Sequence, residues 1–329
     1  MNIARPADTK PLMMSKSPRL PILAGLLWLG LAGLAGATAL ALLGRVHWFC
    51  ELFTHFPLQI GSGLAAALVV ALLFRQWKPA LFASLCLIPN LWALAYYYPD
   101  HAPPEHRPDI RALSFNVLTS NTAFADVREY LSHSDADIIF VMETNQEWLS
   151  ALAPLETDYP HVVKAPRGDN FGMALYSRHP IETHDLHFVE GSRVPCVHAV
   201  INVAGRQMEV IGGHPVPPVG ASRSAWRNSY LATLTSLATK SDRPKLVLGD
   251  FNATVWSPFF RDFLSTTALQ DTGRRRGFQS TWRRNNPVFS IPIDHILYSN
   301  LSCTSRNVGP DLGSDHRPVI AEFAFRPDF

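Results

Sequence analysis

Leu246-Val-Leu-Gly-Asp-Phe-Asn252 is an apolar run that stops on a glycine and then delivers a carboxylate and an amide. A run of this kind reads as a short buried strand whose polar tip leaves the core. The same form recurs on either side of it. Leu113-Ser-Phe-Asn116, Ile139-Phe-Val-Met-Glu143, Val210-Ile-Gly-Gly-His214 and Ser290-Ile-Pro-Ile-Asp294 each end an apolar run on an amide, a carboxylate or an imidazole, and Gly313-Ser-Asp-His316 precedes another. Strands are expected over 110–115, 138–142, 173–176, 208–211, 246–248, 295–298 and 319–323. Helices are expected over 123–132, 226–239 and 259–264, where the apolar spacing is three to four. The mixed order of hairpins and strand–helix alternation predicts an α/β domain of two packed sheets with helices outside. If the polar tips meet on one rim, they make a set able to hold a hard divalent cation through oxygen and to poise a water for attack at phosphorus.

The rest of the 329-residue chain is of another kind. Overall, 47% apolar and 17% charged residues with a net charge of +2 exclude a disordered tail and a strongly basic nucleic-acid protein. Residues 1–99 nevertheless carry seven basic and two acidic residues, net +5, and residues 100–329 carry 22 and 25, net −3. Uncharged stretches of 25, 23 and 21 residues lie between Arg19 and Arg45, Glu51 and Arg75, and Lys78 and Asp100, the last ending in Tyr96, Tyr97 and Tyr98. At about 1.5 Å per residue each is long enough for a hydrocarbon core of roughly 30 Å. Three transmembrane helices are therefore expected, at about 20–43, 54–74 and 79–98, within a membrane anchor covering 1–100. A cleaved signal peptide would be followed by soluble sequence and not by two more apolar runs.

Arg5, Lys10, Lys16 and Arg19 precede the first stretch, and Arg75 and Lys78 separate the second from the third. The positive-inside rule puts both groups in the cytoplasm, with Arg45 arguing mildly the other way. Three crossings then place the C-terminal domain, 109–329, outside the cytoplasm, so a multi-pass inner-membrane protein with a periplasmic or extracellular catalytic domain is expected. Residues 101–108 read as a stiff Pro-rich linker. Cys196 and Cys303 in the exported half either pair as a disulfide or remain two buried thiols.

From Asn116 to Ser314-Asp-His-Arg-Pro318 these segments resemble the endonuclease/exonuclease/phosphatase superfamily, in order and over essentially all of 109–325. With the three-span anchor, Gly249-Asp-Phe-Asn-Ala-Thr-Val-Trp-Ser-Pro258 resembles a membrane-bound bacterial branch of it. The resemblance implies a four-layer α/β/β/α sandwich and a Mg²⁺-dependent enzyme, with Mn²⁺ as the alternative ion. It implies that Glu143 is the principal metal ligand, that Asn116 helps hold the metal-bound phosphate and aligns carboxylates, and that Asp315 lies near the metal or water. It also makes His316 the imidazole on the scissile phosphate, Asp294 its orienting partner, and His214 either a phosphate donor or the acid for the leaving oxygen. A carboxylate on one ring nitrogen would fix the tautomer of His316. Asp250 and Asn252 sit two apart, so in an extended stretch both point to one side, Asp250 as base for the attacking water and Asn252 as donor to a phosphate oxygen.

The expected function is a membrane-anchored, divalent-metal-dependent phosphoesterase that cleaves a phosphodiester or phosphomonoester by direct water attack. Its partners are the lipid bilayer, through the three helices, and a phosphoester substrate, a phospholipid headgroup or a nucleic acid; no obligate protein partner is evident. The alternative from a different class is a catalytically silent binding or scaffold module that retains the fold, against which the intact set of polar positions weighs. Arg274, Arg275, Arg276, Arg283 and Arg284 around Phe278 and Trp282 suit a grip on a polyanion or stacking on a base, and equally a solvated loop or a basic edge on anionic lipid.

Overall fold

Four helices lead the chain: α1 (Arg19–Leu42), α2 (Trp48–Thr54), α3 (Pro57–Leu73) and α4 (Trp77–Leu94). The structure, a computed structural model, describes residues 19–98, 107–282, 286 and 288–327. Arg5, Lys10, Lys16, residues 101–106 of the expected linker, Arg283 and Arg284 lie outside the described residues.

The C-terminal part supplies strands β1 (Ile110–Asn116), β2 (Ile138–Met142), β3 (His161–Ala165), β4 (Met173–Ser177), β5 (Ile181–Phe188) and β6 (Pro195–Val203). It continues with β7 (Arg206–Gly213), β8 (Lys245–Asp250), β9 (Gln270–Asp271), β10 (Asp294–Ser299), β11 (Leu301–Val308) and β12 (Val319–Phe325). They form two six-stranded sheets, ordered β11-β12-β1-β2-β4-β3 and β5-β6-β7-β8-β10-β9. Each is mixed, with one parallel pair at its centre, β1 beside β2 and β7 beside β8. All seven expected strands form. Unexpected are β3, β5, β6, β9 and β11.

Period-two alternation explains how the sheets stack. Ala112, Phe140, Val210, Leu246 and Ile296 face inward and pack into one core between the sheets. Leu113, Phe115, Ile139 and Val141 face outward under helices α5 (Phe124–Ser132) and α6 (Gln146–Leu152). Ile211, Val247 and Leu297 do the same under α7 (Ala221–Ala238) and α8 (Pro258–Thr267). The layers are therefore helices, sheet, sheet, helices. Cys196 lies on β6 and Cys303 on β11, in different sheets, and both are free thiols.

The helical part bears on the expected crossings. Among the described residues two helices, over Ala24–Leu42 and Trp77–Tyr97, are long and apolar enough to cross a membrane. The expected middle span, 54–74, is met by one helix, α3, over 57–73, set off from α2 by a 66° bend. Pro57 opens α3 and supplies no N–H to continue the preceding helix. The remaining 17 residues of α3 rise only about 26 Å, short of a roughly 30 Å hydrocarbon core. Three spans result only if the bent pair counts as one.

The bend has a partner on the sheet domain. Glu51 of α2 is fully buried, accepting from Arg227 of α7 at 2.6 Å and from the Ser257 hydroxyl at 2.6 Å. His55 contacts the Thr254 hydroxyl at 3.0 Å, Gln59 donates to the Ser290 carbonyl, and Trp256 donates to the Ala93 carbonyl. Arg45, just past α1, pairs with Asp262 of α8. A buried ion pair persists only where hydrogen bonds replace the lost water, and Glu51 has two such donors. The helices and the sheet domain are one packed unit at this face.

Candidate active site

Alternation also carries the chemistry. On β1 the inward row Ile110, Ala112, Ser114 ends on Asn116; on β8 Leu246 and Leu248 lead to Asp250; on β10 the row begins with Asp294, two before Ile296. Asp294 lies directly across the ladder from Asp250. All three side chains are buried at the same end of the sheets. Gly249 makes the approach possible, since its φ is +152° and a Cβ there would meet the Gly213 carbonyl oxygen at 1.8 Å.

Asp250 is the hub of the site. It accepts from the Asn116 amide at 3.2 Å and the Asn252 backbone N–H at 2.8 Å, and it lies 3.3 Å from His214 Nε2 and 3.5 Å from His316 Nε2. Burial alone would raise its pKa, but the His316 charge, then the His214 hydrogen bond and charge, then the Asn252 N–H outweigh it and hold the carboxyl below its usual range. Asp250 is therefore ionised at neutral pH.

His316 Nδ1 meets Asp294 at 2.8 Å, the expected orienting pair. Burial would lower this imidazole's pKa, yet the charges of Asp294 and Asp250, with the Asp294 hydrogen bond, push it up to about 10. His214 is shifted upward as well: burial opposes the charged form, and the Asp250 hydrogen bond and charge, with Glu143, overcome it. Its Nδ1 is buried with no hydrogen-bond partner and its ring lies 5.3 Å from that of Phe171. The backbone N–H of His214 donates to the Tyr230 hydroxyl.

Glu143 follows β2 with φ +62°, a left-handed conformation that costs a non-glycine residue about 1–3 kcal/mol. The carboxylate is held by the Asn116 amide at 3.0 Å and the Thr119 N–H at 3.1 Å. Asn116 thus bridges Glu143 of one sheet and Asp250 of the other, while its own oxygen accepts from the Leu118 N–H. That arrangement suits the aligning role. Asn252 also departs from expectation. The strand stops at Asp250, and Asn252 is reached through a left-handed turn, φ +48°, with its amide donating to the Pro215 carbonyl at 3.0 Å.

Glu143, His214, Asp250, Asn252, Asp315 and His316 nonetheless share one cavity of about 800 Å³. A divalent cation fits the donor set, because Glu143, Asp250 and Asp315 offer carboxylate oxygens to it and Asp315 Oδ1 is buried with no donor of its own. Asp250, Asp294 and His316 also bring ligand atoms within 4.8 Å of one another. Within that trio His316 Nδ1 and Asp294 are joined by the 2.8 Å hydrogen bond, the geometry of an orienting pair.

Thr281 gave no sign in the sequence, and Ser314 and Trp282 stood there without these supporting roles. Thr281 Oγ1 accepts from the Ile293 and Asp294 N–H groups, and Ser314 receives the His316 N–H while donating to the Asn116 carbonyl. Trp282 donates to Asp315 at 3.0 Å. Arg276 donates to the Cys303 and Thr304 carbonyls, and Phe278 packs on Tyr97 and Trp256. This loop holds the two parts of the protein together.

The profile of the Endonuclease/Exonuclease/phosphatase family matches residues 113–316. A UPF0294 protein of Klebsiella pneumoniae is 26% identical over 238 residues, covering 69% of this chain and 86% of that one. A UPF0294 protein of Vibrio parahaemolyticus is 28% identical over 120 residues, 36% of this chain and 41% of that protein, so the match spans less than half of its length. Among solved structures, humanized TDP2 of D. rerio superposes with a TM-score of 0.55 at 15% identity, over 65% of this chain and 98% of that one. A 3′ phosphatase from Neisseria bound to a product DNA hairpin gives 0.54 at 20% identity, over 66% and 100%. At these identities the likeness to solved structures is one of fold.

The charge on His316 has a measurable signature in the metal-free protein. Its folded-state pKa lies above the ordinary 6.5, so the stability it adds is complete below that pH and is lost as pH rises through about 10. An NMR titration of the ring is expected to show a protonated imidazole through neutrality, and Asp294→Asn is expected to move the midpoint down. A wild-type midpoint near 6.5 would contradict the orienting pair.

Proposed function

Because the chain belongs to the endonuclease/exonuclease/phosphatase family, we propose that it is a divalent-metal-dependent phosphoester hydrolase whose active centre is the Asp250 cluster. One observation carries the reading: polar side chains from both sheets converge on a buried carboxylate at the floor of a cavity of about 800 Å³. The cation, Mg²⁺ or Mn²⁺, is assigned to Glu143 and Asp315, with Asp250 adjoining, and supplies positive charge against the phosphoryl oxygens.

The protein's own groups do the rest. Asp250, ionised at neutral pH, orients a water and accepts its proton as the water oxygen bonds to phosphorus. His316, held by Asp294, donates from Nε2 to a phosphoryl oxygen as charge accumulates there. The P–O bond to the leaving group breaks, and His214, also shifted toward its charged form, protonates the departing oxygen. Asn252, on the cavity wall, adds a polar contact beside Asp250. Enough donors and acceptors are present for direct attack by water without a covalent intermediate.

We assign residues 1–100 to a membrane anchor, 101–108 to a linker and 109–329 to the catalytic domain, with the bent α2–α3 pair as one of three crossings. The bundle's polarity supports an exported domain. The ends of α1 and α4 and the start of α3 touch the sheet domain, through Arg45, Ala93 and Gln59. Arg19 at the head of α1, Arg75 in the turn after α3 and Lys78 in the first turn of α4 therefore fall at the far end of the bundle. A basic end belongs in the cytoplasm, which leaves the catalytic domain on the other side, at the surface of the inner membrane.

Two measurements test this reading. Chelation is expected to abolish hydrolysis, and Glu143→Gln to raise the Mg²⁺ or Mn²⁺ concentration needed for activity on the order of tenfold or more; full turnover in chelator would overturn the metal assignment, and absence of turnover on every phosphoester would favour the silent module. A phosphatase reporter that is active only after export, fused behind Phe329, is expected to be active. A cytoplasmic reporter active at the same position would reverse the orientation.

A further inference from the structure

One wall of the cavity does not come from the catalytic domain. Leu52, His55 and Phe56, at the end of α2 and the break before α3, line the same space as Glu143, Asp250 and His316. The same cavity is lined by apolar Val219, Ile291 and Ile293 as well as by the Asp250 cluster and polar Asp169, Asn170 and Arg223. The apolar surface continues out of the mouth: the Phe56 ring meets that of Phe289 edge-on at 6.1 Å, and Phe289, Val288 and Val219 are 52%, 59% and 57% exposed. Elsewhere on the helices Val69, Leu72 and Leu85 are exposed as well.

A small phosphate ester needs only the floor, and a nucleic acid needs cations along its path. Among the described lining residues Arg223 is the one Lys or Arg. A wall that carries Leu52 and Phe56 of the helical part, with the exposed Phe289 ring packed on Phe56, suits neither a hydrophilic ester nor a polyanion. It suits a molecule with a phosphoester at one end and a hydrocarbon chain at the other.

We propose that the substrate is a membrane lipid, its phosphoester on the floor with Asp250 and His316 and its chain along Leu52 and Phe56 toward the bundle. This rests on the phosphoester-hydrolase reading above. The bend between α2 and α3 acquires a use: it turns Leu52, His55 and Phe56 to the cavity at the level where the chain leaves the bundle for the sheet domain. The helical part is then part of the binding site as well as a tether.

The test uses the full chain in detergent with Mg²⁺ or Mn²⁺ and a series of 4-nitrophenyl alkyl phosphodiesters from ethyl to hexyl. Bis(4-nitrophenyl) phosphate serves as the soluble reference, and phosphatidylglycerol in mixed micelles and a single-stranded oligonucleotide serve as natural probes. The expected result is a kcat/KM that rises roughly two- to fourfold per added methylene, with phosphatidylglycerol cleaved and the oligonucleotide not. Phe56→Ser is expected to flatten the series, and so is Val219→Asp, which lies at an exposed position and does not depend on repacking of the helices. A flat series in a protein that turns over bis(4-nitrophenyl) phosphate would overturn the lipid proposal while leaving the hydrolase reading standing, as would a preference for the oligonucleotide. Inactivity on every probe would overturn both.

Discussion

Burying an ionised carboxylate costs several kcal/mol unless donors replace its water, and Asp250, with 1% of its surface exposed, draws those donors from both halves of the domain. Asn116 comes from the first sheet, His214 from the turn after β7, and His316 from the loop ahead of β12. The sheets must stack so that their inward rows end at one level. Gly249 then has to be a glycine, because the chain passes Gly213 too closely for a side chain. The same carboxylate shifts two imidazoles toward their charged form, and they in turn hold it below the usual carboxylate range, so fold and chemistry depend on one cluster.

A second buried carboxylate plays the corresponding part at the edge of the domain. Glu51 reaches Arg227 and Ser257, while His55 and Ala93 take Thr254 and Trp256. All of these except Arg227 lie in the segment that leaves β8 just after Asp250. The loop that carries Asn252 is thereby fixed at one end by the active centre and at the other by the helices. Arg227 packs its guanidinium over the Phe259 ring as well, which shields the pair from water.

Much of the site was legible because a buried strand with a polar last residue is unusual on its face. Asn116, Glu143 and Asp250 stand out in that way, Asp294 opens β10 instead of ending a strand, and His316 stands out by its Ser-Asp-His setting; all meet at the cavity or directly beneath it. Asn252 was assigned to the cavity for the wrong geometric reason, since alternation lapses where the strand ends and a left-handed turn does the placing. Strand β5 escaped notice because it is a sheet edge with a polar, largely exposed sequence, Ile181-Glu-Thr-His-Asp-Leu-His-Phe188. The bend at His55 and Phe56 was invisible to a count of uncharged residues, which registers length and apolarity and not the proline that interrupts them. Glu51 gave no local signal either, because its partner Arg227 is 176 positions away.

The hub role of Asp250 is tested most directly by the turnover of Asp250→Asn in the full chain, on bis(4-nitrophenyl) phosphate with Mg²⁺ or Mn²⁺, after circular dichroism has shown an unchanged fold. The amide keeps the shape and removes both the charge and the proton acceptor. The predicted result is a kcat lower by a factor on the order of 10² or more with KM little altered. A folded variant whose kcat stays within about twofold of wild type would contradict the assignment and place the chemistry elsewhere in the molecule.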